Sequence, residues 1–395
     1  MIIEPEEIKY KDGEPQNGII VDWKKVFKYY DMLKCPKGIY NPSKELDPES
    51  AEWFLLISTR STGKTTNLLL VGMILFLMYG IQTAYIRQKD YMTAKQNLDK
   101  LLSVIQQYRY IEMLTDGKYN SYYYFGHQMY FVKIDETGKR VDKSEAFLQA
   151  LAISNNEDYK STLNMPKGDF IIFDEFISSE YSPNEFITLC DLLKTILRDR
   201  LTGKIFMLAN TTDYYNEYLR ELYVLDEILK VREDEPFIKL TRQKTRVYVH
   251  LIGNRNKQRA KVNTLYFGFD NPKLASITGG AWAVESYPHI ARDEDRRIIS
   301  KDFYITFSGK ILQLELCNSP ALGWHVIVHR AYRISDKGIR IYTIEEIKEK
   351  REAYKFGDLP IDKRLWKLYN ANRWYYTNND EGFTVDSFVN RANKL

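Results

Sequence analysis

The sequence predicts an α/β fold built on a parallel sheet covered on both faces, and three observations predict it. Short, wholly apolar segments alternate with stretches of helical spacing between about residues 53 and 210. One apolar segment, Trp53 to Ile57, runs through a Gly-Lys-Thr turn into a second apolar stretch from Leu68, the order strand, loop, helix. Another, Phe170 to Phe173, ends in the acidic pair Asp174-Glu175, 110 residues after Lys64. Alternation of this kind yields parallel strands, because each crossover helix returns the chain to start the next strand in the same direction.

At 395 residues the chain is long for one domain, and two are expected. Hydrophobic residues make up 44%, enough for real cores, and the net charge of +4 means that any nucleic-acid surface must come from local clustering. The three cysteines, Cys35, Cys190 and Cys317, form no C-x-x-C pair, which suits a reducing cytosol and argues against a disulfide framework or a zinc site. His325 and His329 are four apart, but they lie in a strand-like run without H-E-x-x-H and read as structural. The first thirty residues are acidic and mixed, so no signal peptide is expected. The apolar run from Leu68 to Ile81 is 14 residues, too short to span a bilayer, so no membrane partner is expected.

The elements follow in order. Tyr40-Asn41-Pro42-Ser43 marks a turn before the first core strand. Ser58-Thr59-Arg60-Ser61-Thr62-Gly63-Lys64-Thr65, followed by Thr66, reads as a phosphate-binding loop of the Walker A kind, with Ser in place of the first Gly. Its N–H groups and the positive end of the next helix would surround a β-phosphate. Lys64 would reach the β- and γ-phosphates and the Thr65 hydroxyl would ligate Mg²⁺, so ATP and Mg²⁺ are the implied cofactors. Arg60 adds positive charge beside the phosphates or is a solvated loop residue. Thr83 to Arg87 is a second strand, 94–108 is helical, and 122–133 and 146–153 alternate like strands. Asp169 to Glu175 is a Walker B pattern, in which Asp174 would hold Mg²⁺ through water and Glu175 would polarise the attacking water. An acidic pair at a strand end is common; after a phosphate loop it becomes much more specific.

Ser182-Pro183-Asn184-Glu185 starts a helix with capping-box spacing, whose end carries Arg198 and Arg200. Those cations either compensate the helix dipole or reach a neighbouring subunit's γ-phosphate, and helix position alone does not choose. The strand Ile205 to Thr211 presents Asn210, which would contact the γ-phosphate or lytic water or merely cap a turn. Strand, helix and strand after the acid pair fit the P-loop NTPase class with a catalytic Glu. From Phe237 to Phe269 stand eight cations and no acid: Lys239, Arg242, Lys244, Arg246, Arg255, Lys257, Arg259 and Lys261. Such a block is a solvated linker or a phosphate-backbone contact. The expected organisation is an extension over 1–38, an ATPase domain over 39–235, a basic linker over 236–272 and a smaller α/β domain over 273–395. In the last, strands at 303–307, 311–316, 325–329 and 340–343 precede helices at 344–354, 364–372 and 385–392, and Ile305 to Gly309 carries no acid where a two-metal nuclease would want one.

Tyr40-Asn41-Pro42, the Arg-bearing loop Ser58 to Thr65, Tyr85-Ile86-Arg87, Phe173-Asp174-Glu175-Phe176-Ile177, Pro183-Asn184-Glu185, Leu197-Arg198-Asp199-Arg200 and Leu208-Ala209-Asn210 together resemble the DNA-packaging ATPases of phi29-type tailed phages, relatives of terminase large subunits. The resemblance runs from about Tyr40 to Asn210 and is fainter beyond. It implies an ATP-driven motor that moves double-stranded DNA into a viral procapsid, as a homo-oligomeric ring, a pentamer in the family, on the portal in the host cytoplasm. It implies roles for Lys64, Thr65, Asp174 and Glu175 in ATP hydrolysis, for Asn210 in coupling, and for Arg198 and Lys160 as trans-acting cations. It implies an RNase H-like carboxyl domain without nuclease activity. Lys89 and the basic block would grip DNA phosphates. Some members dock on a packaging RNA, a partner left open here. The rival readings are a terminase with an active nuclease domain and a non-enzymatic DNA-binding scaffold with an inactive phosphate loop.

Overall fold

The computed structural model describes residues 3–34, 40–58, 62–177, 185–210, 217–228, 237–242, 244–252, 297–307, 309–334, 340–344, 353–354 and 360–392. They divide into two compact units, the first holding the described residues from 3 to 252 and the second those from 297 to 392.

In the first unit the chain forms α1 (Trp23–Met32), α2 (Pro42–Glu45), β1 (Trp53–Ser58), α3 (Lys64–Tyr79), β2 (Thr83–Arg87), α4 (Lys95–Gln107), α5 (Tyr110–Leu114), β3 (Ser121–Phe125), β4 (Gln128–Ile134), β5 (Arg140–Ala152), α6 (Asn156–Thr162), β6 (Phe170–Asp174), α7 (Glu185–Leu197), β7 (Lys204–Asn210), α8 (Glu217–Glu221), α9 (Leu225–Ile228), β8 (Phe237–Arg242) and β9 (Thr245–Ile252). The sheet order is β3-β4-β5-β2-β6-β7-β1-β9-β8. Strands β5, β2, β6, β7, β1 and β9 run parallel, as the alternation predicts. The outer strands depart from that expectation: β3 and β4 join β5 as antiparallel hairpins, and β8 pairs antiparallel with β9. Tight turns explain the change of direction, since a connection of a few residues cannot make a parallel crossover.

The central strands are apolar on both faces because both are covered. On one face Phe54, Phe170 and Phe206 join α1 and α3 in a single core. On the other, Trp53 meets Phe186 of α7 at 6.1 Å and Phe173 meets Tyr218 of α8 at 5.3 Å. Helix α3 is apolar nearly all round and mostly buried, and it stops at Gly80, whose left-handed φ of 69° lets its N–H close on the Phe76 carbonyl at 2.8 Å.

The described part of the expected extension over 1–38 instead contributes to this core. Trp23, Val26, Tyr30 and Leu33 are buried against α3, and Tyr30 Oη donates to Asn67 Oδ1 at 2.8 Å. The expected basic linker also starts inside the sheet, because Phe237–Arg242 and Thr245–Ile252 are strands β8 and β9. Val247, Tyr248, Val249, Leu251 and Ile252 are buried in β9 beside β1, so pairing and packing outweigh the charge pattern.

The second unit forms β10 (Arg297–Phe307), β11 (Lys310–Ser319), β12 (Gly323–Ala331), β13 (Arg340–Thr343), β14 (Ala353–Tyr354), α10 (Pro360–Asn370), β15 (Trp374–Tyr376) and α11 (Asn379–Ala392). Its sheet order is β14-β13-β10-β11-β12-β15. Strands β10, β11 and β12 are antiparallel, β13 runs parallel to β10, β14 to β13 and β15 to β12. Of the helix expected over 344–354, residues 345–352 lie outside the described residues, and Ala353–Tyr354 is a strand.

One polar anchor ties the amino-terminal segment to the sheet. Asp169 accepts from the Ile19 N–H at 3.4 Å and the Thr202 hydroxyl at 3.2 Å, and it pairs with the guanidinium of Arg200. Arg200 also donates to the Met165 and Ile196 carbonyls at 3.0 and 2.6 Å. Both charged side chains are buried, so removing one strands the other. Asp169→Ala is expected to destabilise the first unit by about 3–5 kcal/mol, read as a lower denaturant midpoint at unchanged slope.

Candidate functional site

Strand register assembles the site. Ser58 at the tip of β1 sits opposite Asn210 on β7, and Asp174 at the tip of β6 sits opposite Leu208 on the same strand. The carboxyl tips of β2, β6, β7 and β1 therefore end along one line. Lys64, Thr65, Tyr85, Arg87, Asp174, Glu175 and Asn210 line one cleft of about 760 Å³ there. Gly63 caps α3 at a left-handed φ of 77°, which glycine adopts without strain. That turn sets Lys64 and Thr65 on the first turn of the helix.

Lys64 is buried, and its ammonium donates to Ser58 Oγ and, at 3.5 Å, to Thr62 Oγ1. Ser58 in place of the usual glycine thus supplies a side-chain acceptor. Burial pushes the Lys64 pKa down to about 8 against the pull of Asp174 and Glu175. The Thr65 hydroxyl lies 3.2 Å from both carboxylate oxygens of Asp174. Burial raises Asp174 above the ordinary carboxylate range, although Arg87 and a 2.8 Å hydrogen bond from the Tyr85 hydroxyl oppose the shift. Arg87 lies 3.7 Å from Asp174 and donates to Glu175 Oε2 at 2.6 Å and to the Tyr85 hydroxyl at 3.2 Å. Glu175 itself has a positive φ of 57°, which aims its half-exposed carboxylate off the end of β6 at the expense of backbone strain.

These donors fit a magnesium polyphosphate. A hydroxyl and a carboxylate converging within 3.2 Å offer the hard oxygen ligands that Mg²⁺ takes, and a buried ammonium stands beside them. Thr62, Gly63 and Thr66 line the same cleft; Thr59, Arg60 and Ser61 lie outside the described residues. Tyr85 and Arg87 were legible as a strand and as part of the resemblance, with no role in the site. The signal that could have exposed them is an arginine at the tip of an otherwise apolar strand.

Other candidates fall elsewhere. Arg198 follows the carboxyl end of α7, exposed, with φ 52°, and its side chain has no partner among the described residues. It precedes Lys204, which pairs with Phe170 at the amino end of β6, so it stands at the opposite end of the strands from the cleft. Arg200 is the dipole-compensating and structural member of the pair. Lys160 on α6 pairs with Glu157 at 2.8 Å and with Asp191 of α7 at 3.0 Å. Lys89 follows β2 by two residues. Among the basic block, Arg246 is paired with Glu52 and donates to the Glu49 carbonyl at 2.9 Å, and Lys239 lies 3.5 Å from Asp47. These two cations of the block thus find their counter-charges at Asp47 and Glu52 on the segment before β1. Lys244 is exposed, the side chain of Arg242 is not described, and Arg255, Lys257, Arg259 and Lys261 lie outside the described residues.

Fold and site together define a mixed α/β protein with a parallel-rich sheet and a cation-and-carboxylate cleft at the strand tips. The chain belongs to the podovirus DNA encapsidation protein (Gp16) family, whose model matches residues 36–233. It is 25% identical over 195 residues to the DNA packaging proteins of Bacillus phages phi29 and PZA, covering 48% of this chain and 52% of theirs. The chain thus matches about half the length of these curated relatives. It shares its fold with a chain of the bacteriophage phi29 viral genome packaging motor assembly, at a TM-score of 0.52 and 18% identity over 89% of this chain and 99% of that one.

The pairing of Arg246 has a measurable consequence. If Arg246 meets duplex DNA, Glu52→Gln, which weakens this pairing, is expected to tighten DNA retention at low salt and steepen the salt dependence by about one unit of log slope. Fluorescence anisotropy over a salt series measures both.

Proposed function

We propose that the chain is an ATPase that drives double-stranded DNA into a viral procapsid. The observation that carries this reading is the approach of Thr65 to both oxygens of Asp174 at 3.2 Å, with Lys64 and Glu175 in the same cleft. Bound ATP would supply the transferable γ-phosphoryl group, with Mg²⁺ held by Thr65 and Asp174. Lys64 binds the β- and γ-phosphates, whose negative charge holds its ammonium protonated. Glu175 takes the proton of the attacking water at its carboxylate. Arg87 donates to that carboxylate at 2.6 Å and holds it in place at the tip of β6. Asn210 at the β7 tip senses the site from the neighbouring strand.

Arg198 stands too far from its own cleft to act there and serves the cleft of the next subunit in a ring, five-membered by the family resemblance. Each subunit's turnover then depends on its neighbour. Lys160 is a second candidate for the same role once it leaves Asp191. Lys89 and the exposed Lys244, with the rest of the basic block, contact DNA phosphates, which give a grip independent of sequence. The second unit is an RNase H-like domain: three antiparallel strands, β10, β11 and β12, followed by β13 and β14 added in parallel beside β10, support this reading. The motor works in the host cytoplasm, seated on the portal of the procapsid.

Steady-state phosphate release tests the reading. Duplex DNA is expected to stimulate it, and Glu175→Gln to lower kcat by about 100-fold or more with nucleotide still bound. Release that ignores DNA would count against a motor, and no release at all would favour a scaffold. Mixing inactive Arg198→Ala and Lys64→Ala subunits is expected to restore part of the activity, because each can complement the other across an interface. No recovery at any mixing ratio would return Arg198 to a helix-end role.

A further inference from the structure

Glu185 is a carboxylate buried where apolar packing would serve a helix start better, since burying an acid is costly unless it is bonded. It is bonded on two sides. Gln88 Nε2 donates to its Oε1 at 2.9 Å, and the Tyr218 hydroxyl donates to the same oxygen at 2.5 Å. Gln88 and Tyr218 are themselves buried.

The three residues belong to the three elements that leave the tips of the cleft. Gln88 is the residue after Arg87 on the β2 tip. Glu185 opens α7, the helix that follows the Asp174-Glu175 tip of β6. Tyr218 lies on α8, the helix that follows Asn210 on β7. The Tyr218 ring also packs edge-on against Phe173 at 5.3 Å and Phe176 at 5.7 Å, the two residues that bracket Asp174 and Glu175. Thus one partner of the Arg87–Glu175 pair is held through Gln88 and the other through Tyr218, and both holds end on one oxygen.

We propose that Glu185 is a positioning residue that sets the distance between Arg87 and Glu175, through Gln88 on one side and Tyr218 on the other. The proposal rests on the ATPase reading only for its catalytic consequence. Loss of either hydrogen bond loosens one side of the pair, so Glu175 strays from the place where it acts on water. A rearrangement of α8 after Asn210 is likewise felt at Arg87, because the Tyr218 hydroxyl and the Gln88 amide share an acceptor.

The full-length chain carrying Glu185→Met or Tyr218→Phe tests this. Both keep side-chain volume, and Tyr218→Phe keeps the ring contacts, so a melting curve identifies any variant that merely unfolds. Hydrogen exchange without nucleotide is expected to speed up at 87–89 and 175–177 in both variants, and unchanged exchange in both segments overturns the proposal whether or not the chain hydrolyses ATP. With ATP, kcat is expected to fall about tenfold, with binding of a fluorescent ATP analogue within about twofold of the parent. In an Arg87→Ala background the same changes are expected to have no further effect on kcat. Full additivity there, or a parental kcat in both variants, makes Glu185 a structural residue. If Lys64→Ala leaves analogue binding intact, the ATPase reading fails instead, and the exchange result stands separately.

Discussion

The arrangement of the first unit depends on the shared direction of β2, β6, β7 and β1. Parallel strands end together, and their tips can carry residues far apart in the chain to one place. Thr65 and Asp174, 109 positions apart, meet at 3.2 Å only because β7 lies between β1 and β6 with its register fixed on both sides. The covering helices make that register costly to change, since a slip by one residue would turn Phe54, Phe170 and Phe206 from one core into the other. Packing at the middle of the strands therefore maintains the geometry at their ends.

Much of this was legible in the chain. The apolar strands, the Gly-Lys-Thr turn and the Asp-Glu tip are local patterns, and each marks an element that exists. Strand direction at the sheet edges was less legible, because Tyr122 to Lys133 alternates in the same way whether its partner is parallel or antiparallel. The amino-terminal residues conceal Trp23, Val26 and Tyr30 among charged neighbours, and only the helical period of α1 lines them up against α3. Arg87 illustrates the limit of motif reading. Its role arises from contact with Asp174 and Glu175 on a neighbouring strand, and nothing within β2 specifies which acids it will meet.

Arg198 and Arg200 show how two equivalent-looking cations diverge. Both end the same helix, yet the left-handed turn at Arg198 throws its side chain outward while Arg200 folds under to Asp169. The dipole argument is satisfied by one arginine, so it does not account for the other. The amino-terminal segment reinforces the difference, because Asn17 accepts from the Leu201 N–H at 2.9 Å and Ile19 binds Asp169. The loop bearing Arg198 is accordingly a braced projection.

The salt pairing of Arg246 with Glu52 bears on how the β8–β9 hairpin handles any polyanion. A bare cation exchanges small ions for phosphate and gains entropy from their release. A cation already tied to its own chain must instead trade one oxygen ligand for another, with a carboxylate waiting to reclaim it. Such contacts are shallow in energy and quick to relinquish.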